Sequence, residues 1–175
     1  MKLQDDTWKT TRGTRDAVLY GCLEVDGVAG AYVDDSYIGY VRVYAHDAAG
    51  ELQDELRKAI LANEENYRAA GIEVQVLPIV KKTVDLDITV MIEDGYDTTT
   101  YADLIKSIIW DSLENYTVSQ GYYNATIIHT IMDAYDDVVV NIDINSGKDV
   151  KVDKNELIRP GKISVACINV SDWNR

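Results

Sequence analysis

From Val84 to Glu93 apolar and polar side chains alternate: Val84, Leu86, Ile88, Val90 and Ile92 stand against Asp85, Asp87, Thr89 and Glu93. Successive side chains of a strand point to opposite faces, so this run makes a strand with one buried and one wet face. A helix would scatter the same residues around its whole circumference. The apolar face must be covered, and the next segment offers the cover. Tyr101 to Tyr116 forms a helix whose stripe holds Leu104, Ile105, Ile108, Ile109, Leu113 and Tyr116, opened by Thr100 with Asp103 as an approximate capping box. A second helix near Tyr123 to Ala134, a strand from Val138 to Ile144 and closing strands at Val150 to Val152 and Ile163 to Val170 follow, the last two separated by Arg159-Pro160-Gly161. The order is β-α-α-β-β-β.

Upstream the pattern changes to α-β-β-α-β. Thr14 caps a helix with Val18, Leu19, Cys22 and Leu23 on one face, ending near Glu24. Gly27 breaks the helix at a position that asks for positive φ, and Val28 to Val33 then forms a strand closed by Asp34-Asp35-Ser36. Ile38 to Ala45 alternates Tyr40, Arg42 and Tyr44 with Val41, Val43 and Ala45, so the two strands should form a hairpin. Glu51 to Ala70 is the longest helical segment, with Leu52, Leu56, Ile60 and Leu61 on one face and Gly71 as its left-handed cap. A third strand runs from Ile72 to Val80. The expected fold is α+β: a flexible lead-in at residues 1–13 carrying the lone ring of Trp8, a first domain at 14–80 and a second at 81–175. Lys81-Lys82 marks the boundary and a candidate hinge, with mixed or antiparallel sheets and helices packed on one face of each.

Composition narrows the partners. The chain has 175 residues and a formal net charge of -13, which disfavours nucleic acid and anionic membrane surfaces, since phosphate contacts need clustered Lys and Arg. No stretch approaches the roughly 20 apolar residues of a membrane-spanning helix, and the polar first residues do not fit a signal peptide. Cys22 and Cys167 are far apart in sequence and each sits in an apolar pattern, as buried free thiols in a reducing compartment do.

Reaction chemistry is sparse. Asp85 and Asp87 share one face of a strand, as paired carboxylates that hold a metal would, but the wet face of an amphipathic strand explains them as well. Asp34-Asp35 and Asp136-Asp137 fit turns. Asp143, Asn145 and Asp149 come nearest to a calcium loop without supplying its ligand array. His46 and His129 lack Cys or Glu at ligand spacing. The two glycines of Val25-Asp26-Gly27-Val28-Ala29-Gly30 follow a helix, the wrong order for a dinucleotide fingerprint. The expectation is a non-enzyme without cofactor or metal. The twelve Tyr and absent Phe direct attention to interfaces, with Tyr40, Tyr44, Tyr122 and Tyr123 as candidate anchors and a core role equally open for half of them.

Two stretches share one grammar of helix, acidic turn and strand: Thr14 to Val33 through Asp26-Gly27, and Ala125 to Ile144 through Asp136-Asp137. With Thr14-Arg15-Asp16-Ala17-Val18 leading to Val25-Asp26-Gly27-Val28, then Gly39-Tyr40-Val41-Arg42-Val43-Tyr44, Ile72-Glu73-Val74-Gln75-Val76, the strand at Val84 to Ile92, two helices and Glu156-Leu157-Ile158-Arg159-Pro160-Gly161-Lys162-Ile163, the chain resembles the baseplate J-like proteins of bacteriophage tails over residues 14–170. It departs from them at Gly121-Tyr122-Tyr123, where the family tends to have Pro-Gly, and at Asp137-Val138, where Gly-Val is frequent. Family members extend further at the amino end, which implies that this chain is a piece of a longer protein.

The resemblance implies a structural component of the baseplate wedge of a contractile tail or related injection particle. It would be assembled in the bacterial cytoplasm and located at the virion tail. Its partners would be other baseplate and tail proteins and further copies of itself, linking hub to periphery without a cofactor. The interface residues expected in such a role are Tyr40, Arg42 and Tyr44, whose alternation exposes an aromatic and basic face, and Trp110 beside the apolar stripe of its helix. Two other classes stay open: a regulatory domain that binds a small molecule, and a metal-dependent hydrolase using Asp85 and Asp87.

Overall fold

The computed structural model describes residues 12–173. The Trp8 ring and most of the lead-in lie outside them. The fold is α+β, with helices packed against two three-stranded sheets. The chain divides into two compact units with a boundary between Lys81 and Lys82, but the division is not contiguous: residues 117–119 and 153–157 return to the first unit.

In the first unit, α1 (Arg15–Leu23) starts where the Thr14 hydroxyl accepts a hydrogen bond from the Ala17 N–H at 3.1 Å. Strand β1 (Gly30–Asp34) pairs antiparallel with β2 (Tyr40–His46), which pairs parallel with β3 (Glu73–Pro78), giving a mixed sheet with β2 in the middle. Helix α2 covers Asp54–Glu64 rather than all of Glu51 to Ala70, so Leu52 precedes it and Tyr67 lies in the turns that follow it. Gly27 and Gly71 have φ of +95° and +78°, in the left-handed region that a side chain disfavours. Val18 and Cys22 of α1, Ile60 of α2 and Val33, Val43, Ala45, Val74 and Val76 of the sheet form one core.

In the second unit, β4 (Val80–Ile92) is the central strand of a sheet ordered β5-β4-β6, with β5 (Val139–Ser146) antiparallel to it and β6 spanning Glu156–Asn169. Val84, Leu86, Ile88, Val90 and Ile92 are buried against α3 (Thr98–Glu114) and α4 (Asn124–Ala134) in one cluster. Only Ile105, Ile109 and Leu113 of the α3 stripe are fully covered, while Leu104 is 43% exposed. The helix opens three residues earlier than the spacing predicts. Its cap is Asp97 and not the Thr100–Asp103 pair: the Asp97 carboxylate accepts hydrogen bonds from the Thr100 N–H at 2.8 Å and the Thr100 hydroxyl at 2.6 Å. A short α5 (Val170–Trp173) ends the described chain.

The predicted pair of closing strands needs a correction. Val150 makes only an isolated bridge with Tyr122, and Arg159-Pro160-Gly161 lies inside β6 instead of breaking it. Asp85 explains how the strand continues. Its Oδ1 accepts the Lys162 N–H at 2.6 Å, and a Cβ at Gly161 would run into the same carboxylate. Gly161 is the residue type that lets the two strands approach so closely.

Truncating Ile109 should leave a cavity in the second core, so Ile109→Ala is expected to cost about 2–5 kcal/mol by chemical denaturation. Leu104→Ala should fall within about 1 kcal/mol of the parent. Equal losses at both sites would contradict the burial pattern of α3.

Candidate interface at the β1–β2 hairpin end

Strand β2 carries two faces because its side chains alternate. Val41, Val43 and Ala45 pack in the core with α1 and α2, so Tyr40, Arg42 and Tyr44 face the other way. That second face is not free along its length. Tyr44 is 8% exposed and packs with Val118 and Leu157, which the chain returns to the first unit, together with Tyr32, Leu77 and Ile79. Tyr44 is therefore a core residue and not an exposed anchor. Tyr122, also expected at the surface, is fully buried in the second unit with its hydroxyl donating to Asn124 Oδ1 at 2.8 Å.

Toward the hairpin end the same face becomes open. Tyr37 and Tyr40 stack with ring centroids 4.8 Å apart, and the Arg42 guanidinium lies 4.4 Å from the Tyr37 centroid and 5.6 Å from that of Tyr40. Arg42 Nη1 also donates to the Tyr37 hydroxyl at 2.8 Å. These contacts fix rotamers that would otherwise lose entropy on docking, and Tyr and Arg are the residue types that anchor protein interfaces. Between the two tyrosines in sequence, Ile38 is 99% exposed. The alternation puts Ile38 at the start of the second strand, but that strand begins at Tyr40, leaving Ile38 in the connecting loop.

The loop is held from below. Asp34 is only 3% exposed, and its Oδ1 accepts from the Ser36 N–H at 3.2 Å, the Ser36 hydroxyl at 2.7 Å and Lys154 Nζ at 2.7 Å. Burial alone would push the Asp34 carboxyl up, yet hydrogen bonds from Lys154 and Ser36, aided by the lysine charge, bring it below its ordinary value of 3.8. Gly39, with φ of +88°, closes the loop and its carbonyl accepts the Glu73 N–H at 3.2 Å. Asp34 reads as a turn residue from sequence alone. Its partner lies 120 residues away, a pairing that no local pattern signals.

The remaining candidates are placed as follows. Trp110 belongs to the second unit, 42% exposed on α3, and Tyr123 is 50% exposed before α4. Lys81 and Lys82 lie within β4, with Lys81 Nζ 2.6 Å from Glu51 Oε1 and Lys82 Nζ donating to the Lys151 carbonyl at 3.0 Å. The chain passes between the units at residues 81/82, 116/117, 119/120, 152/153 and 157/158, so Lys81-Lys82 is one of several passages between them. Asp85 is engaged with Lys162, and no group of three or more potential metal ligands occurs among the described residues. His46 is buried, with Nδ1 2.8 Å from the Asp47 carbonyl, and His129 is exposed, with Nδ1 3.0 Å from Asp133 Oδ2. Cys22 and Cys167 are free thiols, both pushed above the ordinary value by burial. No helix of the described residues is long and apolar enough to cross a membrane.

No protein-family model and no curated protein matches the chain in sequence.

A buried carboxylate that loses its charged partner costs about 1–3 kcal/mol. Because the lysine end of the pair is half exposed to solvent, Lys154→Ala should lower stability at neutral pH by no more than the low end of that range. The Asp34 contribution is present above the unfolded carboxylate value and is lost as pH falls through the lower folded one. The gap between parent and variant should thus close in acid. A gap that is independent of pH between 7 and about 2 would contradict this account.

Proposed function

We propose that the chain is a structural, non-catalytic component of a phage tail baseplate or related injection particle, working by docking to neighbouring tail proteins through the β1–β2 hairpin end. The ordered succession of segments that resembles baseplate J-like proteins supports the assembly role. The observation that carries the docking reading is the 99% exposed Ile38 set among Tyr37, Tyr40 and Arg42. An isoleucine fully in water gains about 1.5–3 kcal/mol when a partner covers it, and the stacked tyrosines and arginine around it are already ordered. Tyr40 and Arg42 keep the interface role that the strand alternation suggests, Tyr37 and Ile38 join them, and Tyr44 lies beneath as support. The acidic balance of the chain fits partners with basic surfaces.

The test is a tagged pull-down from cells producing the native particle, with partners identified by mass spectrometry and the tag located by negative-stain microscopy of intact tails. Tail-tube, hub or wedge proteins should be recovered with label at the tail tip, and Ile38→Asp should reduce that recovery roughly tenfold or more without a change in thermal midpoint. Unlabelled tails would overturn the baseplate assignment. Undiminished recovery with Ile38→Asp would overturn the hairpin as the docking site.

A further inference from the structure

Asp26 and Gly27 are the middle residues of the turn between α1 and β1, which is closed by the Val28 N–H donating to the Val25 carbonyl at 3.1 Å. Gly27 is the third residue of that turn and has φ of +95°, the conformation that a type II turn requires there and that glycine adopts without strain. Both residues are exposed. Among the described residues neither the Asp26 carboxylate nor the Gly27 N–H takes part in a hydrogen bond. Beside the turn lies an open groove of about 370 Å³, walled on its far side by Gln53, Glu55, Leu56 and Ala59, so the Asp26 side chain has room to turn.

An aspartate followed by glycine carries its own electrophile and nucleophile. The side-chain Cγ stands one peptide unit from the next backbone nitrogen, so a bond between them closes a succinimide ring, and glycine has no Cβ to obstruct the approach. The chain contains a second such pair, Asp94-Gly95. Gly95 also has φ of +95° and both residues are exposed, but Asp94 Oδ1 accepts the Ser171 N–H at 3.1 Å. Asp94 has to release that hydrogen bond before its carboxyl can turn toward Gly95, a net cost equivalent to roughly two- to tenfold in rate.

We propose that Asp26-Gly27 is a site of spontaneous isoaspartate formation in the folded chain, selected over Asp94-Gly95 by its unanchored carboxylate. The Gly27 nitrogen attacks Cγ of the protonated Asp26 carboxyl. A C–N bond forms, a C–O bond breaks, and the hydroxyl leaves with the amide proton as water. Water then adds to the imide carbonyl on Cα of Asp26, and the bond from that carbon to nitrogen breaks. The main chain now runs through the former side chain, with a free carboxylate on Cα and no change in mass. No oxidant or further reactant enters. The added methylene falls between Val25 and Val28, which pack against the first core, so the modification acts on the joint between α1 and the hairpin. The site is independent of the baseplate assignment.

The full chain would be held at physiological temperature and near-neutral pH, native and in denaturant, sampled over weeks and cut with trypsin. Peptides 16–42 and 83–106 carry the two pairs, and electron-transfer fragmentation distinguishes isoaspartate from aspartate in each. In denaturant both positions should convert at comparable rates. In the native chain position 26 should convert faster than position 94 by roughly twofold or more. Asp26→Glu, which would need a larger ring that closes more slowly, should abolish conversion at 26 and leave 94 unchanged. Ser171→Pro, which removes the N–H that anchors Asp94, should raise the rate at 94 toward that at 26. Native conversion at 26 no faster than at 94, no conversion at 26 over the time in which the denatured chain converts, or a rate at 94 unmoved in a folded Ser171→Pro variant would overturn the proposal.

Discussion

A central strand whose two faces differ in chemistry needs two different covers, and β2 is such a strand. Its Val41, Val43 and Ala45 face is met by α1 and α2, which have one apolar stripe each. The opposite face presents Tyr40, Arg42 and Tyr44, for which no further helix exists among the described residues of the first unit. The chain meets that requirement by bringing back two short segments, 117–119 and 153–157, whose Val118 and Leu157 bury Tyr44. Because the cover is short, it stops before the hairpin end. Tyr37, Ile38, Tyr40 and Arg42 are left as an ordered aromatic and basic edge, and the same returning segment supplies Lys154 to lock Asp34 beneath the loop.

The consequence is a division of labour along one strand. Near Tyr44 the face is buried in a core, and near Tyr40 it stays partly open to solvent. The Asp34 to Lys154 pair links the two, since a loop without that anchor would lose more conformational entropy whenever it docked. In the second unit the wet face of β4 is used differently. Asp85 takes the Lys162 N–H and occupies the space beside Gly161, so a carboxylate that could pass for a metal ligand is part of how β6 lies in the sheet.

Local periodicity made most of this architecture legible. The alternation of Val84 to Ile92, the hairpin at Val33 and Val43, and the positive φ of Gly27 and Gly71 all follow from side-chain spacing and backbone sterics. Periodicity misleads where a residue far along the chain decides. Tyr44 looks exposed by alternation and is buried by segments that a local pattern cannot see, and Tyr122, expected as a surface anchor, is fully buried in the second core. Pro160 and Gly161 carry the signature of a break but sit in a continuous strand because Asp85 receives the adjoining N–H. The α2 helix stops at Glu64, short of Gly71, and turns at 65–67 follow it. Of the candidate interface, Tyr40 and Arg42 were legible, whereas Ile38 was hidden by its resemblance to a strand residue.

The central claim is that the hairpin end is a docking surface, and a photo-crosslinking residue substituted at Ile38 in particle-producing cells tests it most directly. The account predicts a crosslink from position 38 to another tail protein or to a second copy of the chain, absent when the same group replaces the exposed Lys58 of α2. No crosslink at 38, or equal and unselective crosslinking from both positions, would contradict it.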